Sequence, residues 1–244
     1  MFLLVLLCVV VVSCLLRNVI RKVPWVFYVL AVGVVALYFA SGPLGLPRSV
    51  TMPLIYLVRR GFLATAMFVF VMYIGVFPRG SGVRRFLQPL RAPLSIVGCI
   101  LIMAHIVEYL VSYLPRVLAG SALRANILVA FWLGILLFAL AVVLGVTSFT
   151  FVKKHMKAAV WKRVQWFAYV FYAAMFAHMC VMLLPSVLKG SSAQAALTTA
   201  CYVVLFVAYF AARVVRVRLE ARKGLKAADL SLSQAKVEEE EARL

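Results

Sequence analysis

The chain has 244 residues, of which 66% are hydrophobic and 14% charged, and its formal net charge is +19. Soluble domains average about 25% charged residues, so this composition, with a mean hydropathy of +1.07, excludes an ordinary soluble enzyme and indicates an integral membrane protein. The basic excess reads as membrane topology and not as a nucleic-acid surface, because it gathers in alternate loops between apolar runs.

Seven apolar segments follow in chain order, at residues 1–16, 24–40, 61–77, 93–114, 125–149, 164–184 and 195–212. A backbone in hydrocarbon must satisfy its own hydrogen bonds, so helices are expected throughout. Short loops between them predict an all-α integral membrane protein built as an antiparallel bundle of about seven transmembrane helices. The first segment is short for a full span and has no basic leader region. It reads as a retained reverse anchor and not as a cleaved signal peptide. Residues 1–60 are then N-terminal membrane segments, 61–184 a four-helix core, 185–212 the last span and 213–244 a charged tail. Residues 41–50, with Gly42, Pro43, Gly45 and Pro47, form an outer loop, and residues 190–194 a smaller one. The tail continues as a basic helix from Arg213, then turns acidic at Glu238 to Glu241, which reads as a solvated and partly disordered end.

The 26 Lys and Arg residues divide unevenly. One set of loops carries Arg17, Arg21 and Lys22, then Arg79, Arg84, Arg85 and Arg91, then Lys153 through Arg163, and finally the tail. The other set carries Arg48, Arg59, Arg60, Arg116, Arg124 and Lys189. The positive-inside rule places the first set in the cytoplasm, with the N-terminus outside, in a multi-pass protein of the cell (inner or plasma) membrane. Cys8, Cys14, Cys99, Cys180 and Cys201 all fall within apolar segments and lack C-x-x-C spacing, so they read as packing residues. No G-x-G-x-x-G follows a strand, which leaves no nicotinamide or flavin domain in the chain.

Two of the three histidines lie inside membrane-length segments. His105 stands about 21 Å of helix from Arg91, and His178 about 22 Å from Arg163. Imidazole in hydrocarbon needs a partner, which makes each a functional candidate. Matched depth on two helices predicts one shared ligand, and a haem iron held axially by both is the first candidate. Gly98 falls almost on the His105 face, where a small residue lets a flat macrocycle approach. Glu108 and Tyr109 fall one turn beyond. Glu108, the acidic residue in the apolar segments, is expected to accept from the imidazole, to relay a proton, or to pair with Arg116. Arg116 returns to nearly the same face, placed with Arg124 for haem propionates or an acidic partner. His155, among Lys153, Lys154 and Lys157, reads as a solvated loop residue. The rival class is a non-haem transporter or membrane scaffold with proton-relay or packing histidines. Broken helices with paired polar residues at mid-depth would mark a transporter, and they are scarce here.

The run Leu144-Gly-Val-Thr-Ser148, a basic loop, Trp161-Lys-Arg-Val-Gln-Trp-Phe-Ala-Tyr169 and His178 resembles the ferric-reductase-like transmembrane cytochromes. The pattern is most similar to the membrane haem subunits of bacterial periplasmic methionine-sulfoxide reductase systems. The earlier helix matches at Arg84, Arg85, Arg91, His105 and Tyr109, and the likeness covers roughly residues 61–184. It implies a b-type cytochrome, an electron-transfer subunit of an oxidoreductase, with His105 and His178 as iron ligands. The implied donor is a quinol or a cytoplasmic flavin reductase, so quinone or flavin is a second expected cofactor. The implied acceptor is an extracytoplasmic redox protein or ferric iron. One departure stands out: Gln165 occupies a position where such proteins usually carry His. The resemblance therefore implies one outer haem b per chain and not two.

Overall fold

A computed structural model describes residues 1–78, 80–190 and 193–241, with backbone alone for 194, 195 and 223–241. Among the described residues all regular structure is helical. Helix α1 (Phe2–Leu15) is followed by α2 (Arg17–Lys22) and α3 (Pro24–Ser41), which starts on a proline, as a first helical turn tolerates. Next come α4 (Arg48–Leu54), a five-residue π-helix (Ile55–Arg59) and α5 (Phe62–Ile74). Helix α6 (Gly82–Leu87) leads through a 3-10 turn into α7 (Arg91–Leu118), then α8 (Ala125–Ser148), α9 (Thr150–Lys154), α10 (Ala158–Leu188) and α11 (Ala193–Glu241).

Among the described residues five helical stretches are long and apolar enough to cross a membrane: Pro24–Ser41, Gly82–Leu118, Ala125–Ser148, Ala158–Leu188 and Ala196–Arg222. A sixth forms if Arg48–Arg59 and Phe62–Ile74, bent by 43° at their junction, count as one span. The expected seventh, α1, has 14 residues, about 21 Å of helix, and so falls short of the ~30 Å hydrocarbon thickness. The outer loop is also shorter than the sequence suggests, because α4 already begins at Arg48. Gly61 makes the bend. Its φ of +68° is left-handed, a conformation that suits glycine, and its carbonyl accepts the first N–H bond of α5 from Thr65.

Helix α5 is the centre of the bundle. It is apolar all round and buries nine side chains, Phe68, Val69, Phe70 and Ile74 among them, as a helix enclosed on every side must. It packs against α1 and α7, while α7 also packs on α3 and α8, α8 on α10, and α10 on α11. Helices α7 and α8 meet through small residues: a Cβ on Gly145 would stand 3.0 Å from the Cys99 sulfur, which donates to the Ala141 carbonyl at 3.6 Å. Between α10 and α11 an aromatic stack forms, with Tyr172 4.4 Å from Phe206 and 4.6 Å from Tyr209 between ring centres. Phe2, Val9 and Tyr202 join the same apolar cluster as residues 61–184, so the flanking segments share one core with the central four.

The outward faces are apolar too. Helix α8 buries Ala130, Ala141, Gly145 and Thr147, and leaves Val129, Trp132, Leu136 and Val142 exposed. Apolar surface of that extent is stable against lipid tails and not against water. The tail helix runs on through Glu241, where the sequence suggests a partly disordered end; Ala, Leu, Lys and Glu are good helix formers. Side chains of the Glu238 to Glu241 block, together with Arg79, Ser191 and Ser192, lie outside the described residues.

Candidate functional site

The fold brings His105 on α7 and His178 on α10 together. Their ring centres are 6.4 Å apart and their planes cross at 76°. Two imidazoles flanking one metal ion, each with a metal–nitrogen bond of about 2.0–2.1 Å and about 1 Å more to its ring centre, stand roughly 6 Å apart. The matched depth read from the sequence is therefore a direct approach of the two side chains. Both line a cavity of about 990 Å³ between α1, α5, α7, α8, α10 and α11. That volume lies at the upper end of the ~300–1,000 Å³ usual for small-molecule and cofactor sites.

The bend at Gly61 explains how His105 is held. Among the described residues the Arg59 carbonyl receives no backbone N–H, because the helix breaks there. His105 Nδ1 lies 2.7 Å from that oxygen and donates to it. A carbonyl left open in an apolar setting is costly, so the imidazole satisfies it. This bond fixes the proton on Nδ1 and leaves Nε2 with its lone pair. Gly61 lies against the same ring, and a Cβ there would stand 3.7 Å from Nδ1. His178 is held differently. Its Nδ1 is buried with no hydrogen bond of normal length among the described residues, and the Ala130 carbonyl of α8 is the polar group in reach of the ring. Gly134 on α8 lets that helix approach the His178 ring, with Cε1 3.9 Å from where a Cβ would be.

Glu108 bonds neither the imidazole nor Arg116. Its carboxylate pairs with Arg59 at 3.2 Å and accepts from the Tyr38 hydroxyl at 3.1 Å. It therefore acts on His105 at one remove, by holding the side chain of the residue whose carbonyl holds the ring. Helical phase alone could not choose between Arg59 and Arg116, since Arg59 belongs to another helix. Tyr109 does line the cavity, its ring 4.7 Å from His105. Arg116 does not. It is exposed and stands 5.8 Å over the ring of Tyr113. Gly98 is likewise off the cavity, because the space beside it is filled by Phe68, whose Cε1 would be 2.9 Å from a Cβ. Small residues that do open onto the cavity are Gly61, Ala130, Gly134 and Ala141.

Sequence reasoning also missed the cation of the site. Arg60 lines the cavity with its guanidinium 4.6 Å over Tyr56, and Thr65 and Tyr202 add polar groups. The available signal was position: Arg59 and Arg60 stand immediately before Gly61. Elsewhere, His155 is exposed and bonds the Phe151 carbonyl at 2.8 Å, as a loop residue would. Gln165 donates to the Thr147 hydroxyl at 3.1 Å, and Trp161 donates to the Thr147 carbonyl at 3.0 Å. These bonds close α10 against α8 at Gln165. Among the described residues no cluster of three or more His, Cys, Asp or Glu side chains that could hold a metal ion forms.

No protein-family model matches the chain, and no solved structure matches it. An uncharacterized protein of Treponema pallidum (strain Nichols) is similar to it, with 38% identity over 163 residues. The match covers 66% of this chain and 44% of that relative, so the chain spans less than half the relative's length.

Proposed function

We propose that this chain is a b-type cytochrome of the cell membrane that passes electrons from a quinol or cytoplasmic flavin reductase to an extracytoplasmic redox protein or ferric iron. The observation that carries this reading is the meeting of His105 and His178, ring centres 6.4 Å apart, at the wall of a cavity of about 990 Å³. Haem b, when bound there, supplies reversible one-electron chemistry. His105 and His178 would hold its iron, and the Arg59 carbonyl would keep the His105 proton on Nδ1. Arg60 is the cation available to the carboxylates of such a group, in the place first assigned to Arg116. Phe68, Ile102, Phe171 and Met175 give the cavity an apolar wall, so ligation and burial would be the protein's levers on redox potential. The Gln165–Thr147 bond supports one haem per chain.

The proposed topology is antiparallel, with α1 as a short reverse anchor, the N-terminus outside and the C-terminus cytoplasmic. Contacts between the basic turns support it: Arg17 bonds the Phe86 carbonyl at 2.6 Å, and Tyr28 meets Phe149 at 5.9 Å between ring centres.

The test is an absorption spectrum of detergent-purified protein, oxidised and dithionite-reduced. A low-spin b-type spectrum and close to one haem per chain are expected, and His105→Ala or His178→Ala should each remove it. Protein that stays haem-free when cells are supplied with haem, or two variants with normal spectra, would overturn the proposal.

A further inference from the structure

A second site lies about 21 Å along α7 from His105, where Arg213 and Arg216 meet on the Gly75 carbonyl with Arg91 beside them. Arg216 on α11 is 6% exposed; it donates to the Gly75 carbonyl, and through Nε and Nη2 to Glu220 at 3.1 and 2.9 Å. Arg213, one turn earlier, donates to the same Gly75 carbonyl at 3.3 Å and stands 5.2 Å over the Tyr169 ring. Arg91, the first residue of α7, lies within electrostatic reach of Tyr169, Tyr209, Arg213 and Arg216. Its Nε is buried without a hydrogen-bond partner among the described residues.

Among the described residues the local charge does not balance. Gly75 caps the C-terminus of α5, whose carbonyls carry roughly half a negative charge. With the Glu220 carboxylate this offsets about half of the three guanidinium charges. The remainder, on groups partly withdrawn from water, needs a counter-anion. Guanidinium forks match phosphate oxygens, and basic pockets between membrane helices suit phosphate head groups. We propose that Arg91, Arg213 and Arg216 bind a phosphate-bearing anion, with Arg91 Nε as an otherwise unsatisfied donor. The phosphate belongs either to an anionic phospholipid or to a free phosphate from the aqueous side. The site shares no residue with the histidine cavity and stands whatever that cavity holds.

The test uses the full chain in a non-ionic detergent, its thermal unfolding followed by tryptophan fluorescence. Dioleoyl phosphatidylglycerol, dioleoyl phosphatidylcholine or inorganic phosphate is titrated in. Phosphatidylglycerol is expected to raise Tm saturably by a few degrees, with phosphatidylcholine weaker. Arg91→Gln should weaken the apparent affinity about tenfold or more, as loss of a charged hydrogen bond does, while Arg91→Lys restores part of it. If Arg91→Gln does not fold, Arg213→Gln serves in its place. Arg21→Gln, in the separate α1–α3 turn, should leave the response unchanged. An equal response to inorganic phosphate would identify the free anion as the source. No saturable response to either phosphate source, or equal responses in wild type and cluster variants, would overturn the proposal.

Discussion

Replacing two glycines by alanine separates the packed face of α7 from the cavity face of α8. At Gly98 the added methyl would stand 2.9, 3.2 and 3.3 Å from three atoms of the Phe68 ring. That ring is 7% exposed and meets Phe171 edge-on at 5.0 Å, so it has little room to retreat. Overpacking of this kind costs about 1–3 kcal/mol, against about 1 kcal/mol gained from alanine's higher helix propensity. Gly98→Ala is therefore expected to destabilise by about 1 kcal/mol. At Gly134 the nearest atom is 3.9 Å away, an ordinary contact, so Gly134→Ala keeps the propensity gain and stabilises by about 1 kcal/mol. The gap of about 2 kcal/mol corresponds to roughly 4–8 °C in Tm for a chain of this size. Thermal unfolding of the cofactor-free protein measures it. Gly134→Phe, which fills the cavity beside His178, should then abolish haem binding, while Gly98→Ala retains it. A Gly98→Ala protein that melts at or above Gly134→Ala would refute the packing assignment.

Four further outcomes follow from the same geometry. Glu108→Gln removes an ion pair whose side chains are 42% and 26% exposed, so stability should change by about 1 kcal/mol at most. The midpoint potential of the bound haem should nevertheless move, and an unchanged potentiometric titration would count against positioning through Arg59. Gly61→Ala meets left-handed backbone strain of about 1–2 kcal/mol and presses on Ile102 at 3.1 Å, so both Tm and haem retention should fall. Gln165→Leu loses one interhelical bond, worth about 0.6 kcal/mol in a membrane, and a haemochromogen assay should find haem content unchanged. For topology, a fluorescent protein fused after Leu244 should fluoresce and alkaline phosphatase fused there should stay inactive; the reverse pattern would invert the proposed orientation.

Sequence alone determined that the chain is a set of apolar helices with basic turns, and that His105 and His178 stand at one depth. Both follow from one-dimensional quantities, the length of an apolar run and the 1.5 Å rise per residue, which neighbours do not alter. The weaker readings all depended on a second helix. Phase on α7 put Gly98, Glu108 and Arg116 on or near the His105 face, but it carries no information about what packs there. Phe68 of α5 takes the room beside Gly98, and Arg59 of the π-helix takes the Glu108 carboxylate. Arg60, not Arg116, reaches the cavity, because the chain bends at Gly61 and turns that corner inward. Even the tautomer of His105 was decided this way, by a carbonyl that only a broken helix leaves open. Spacing along one helix gives direction and depth, while contact requires the position of another backbone, and only the tertiary structure supplies it.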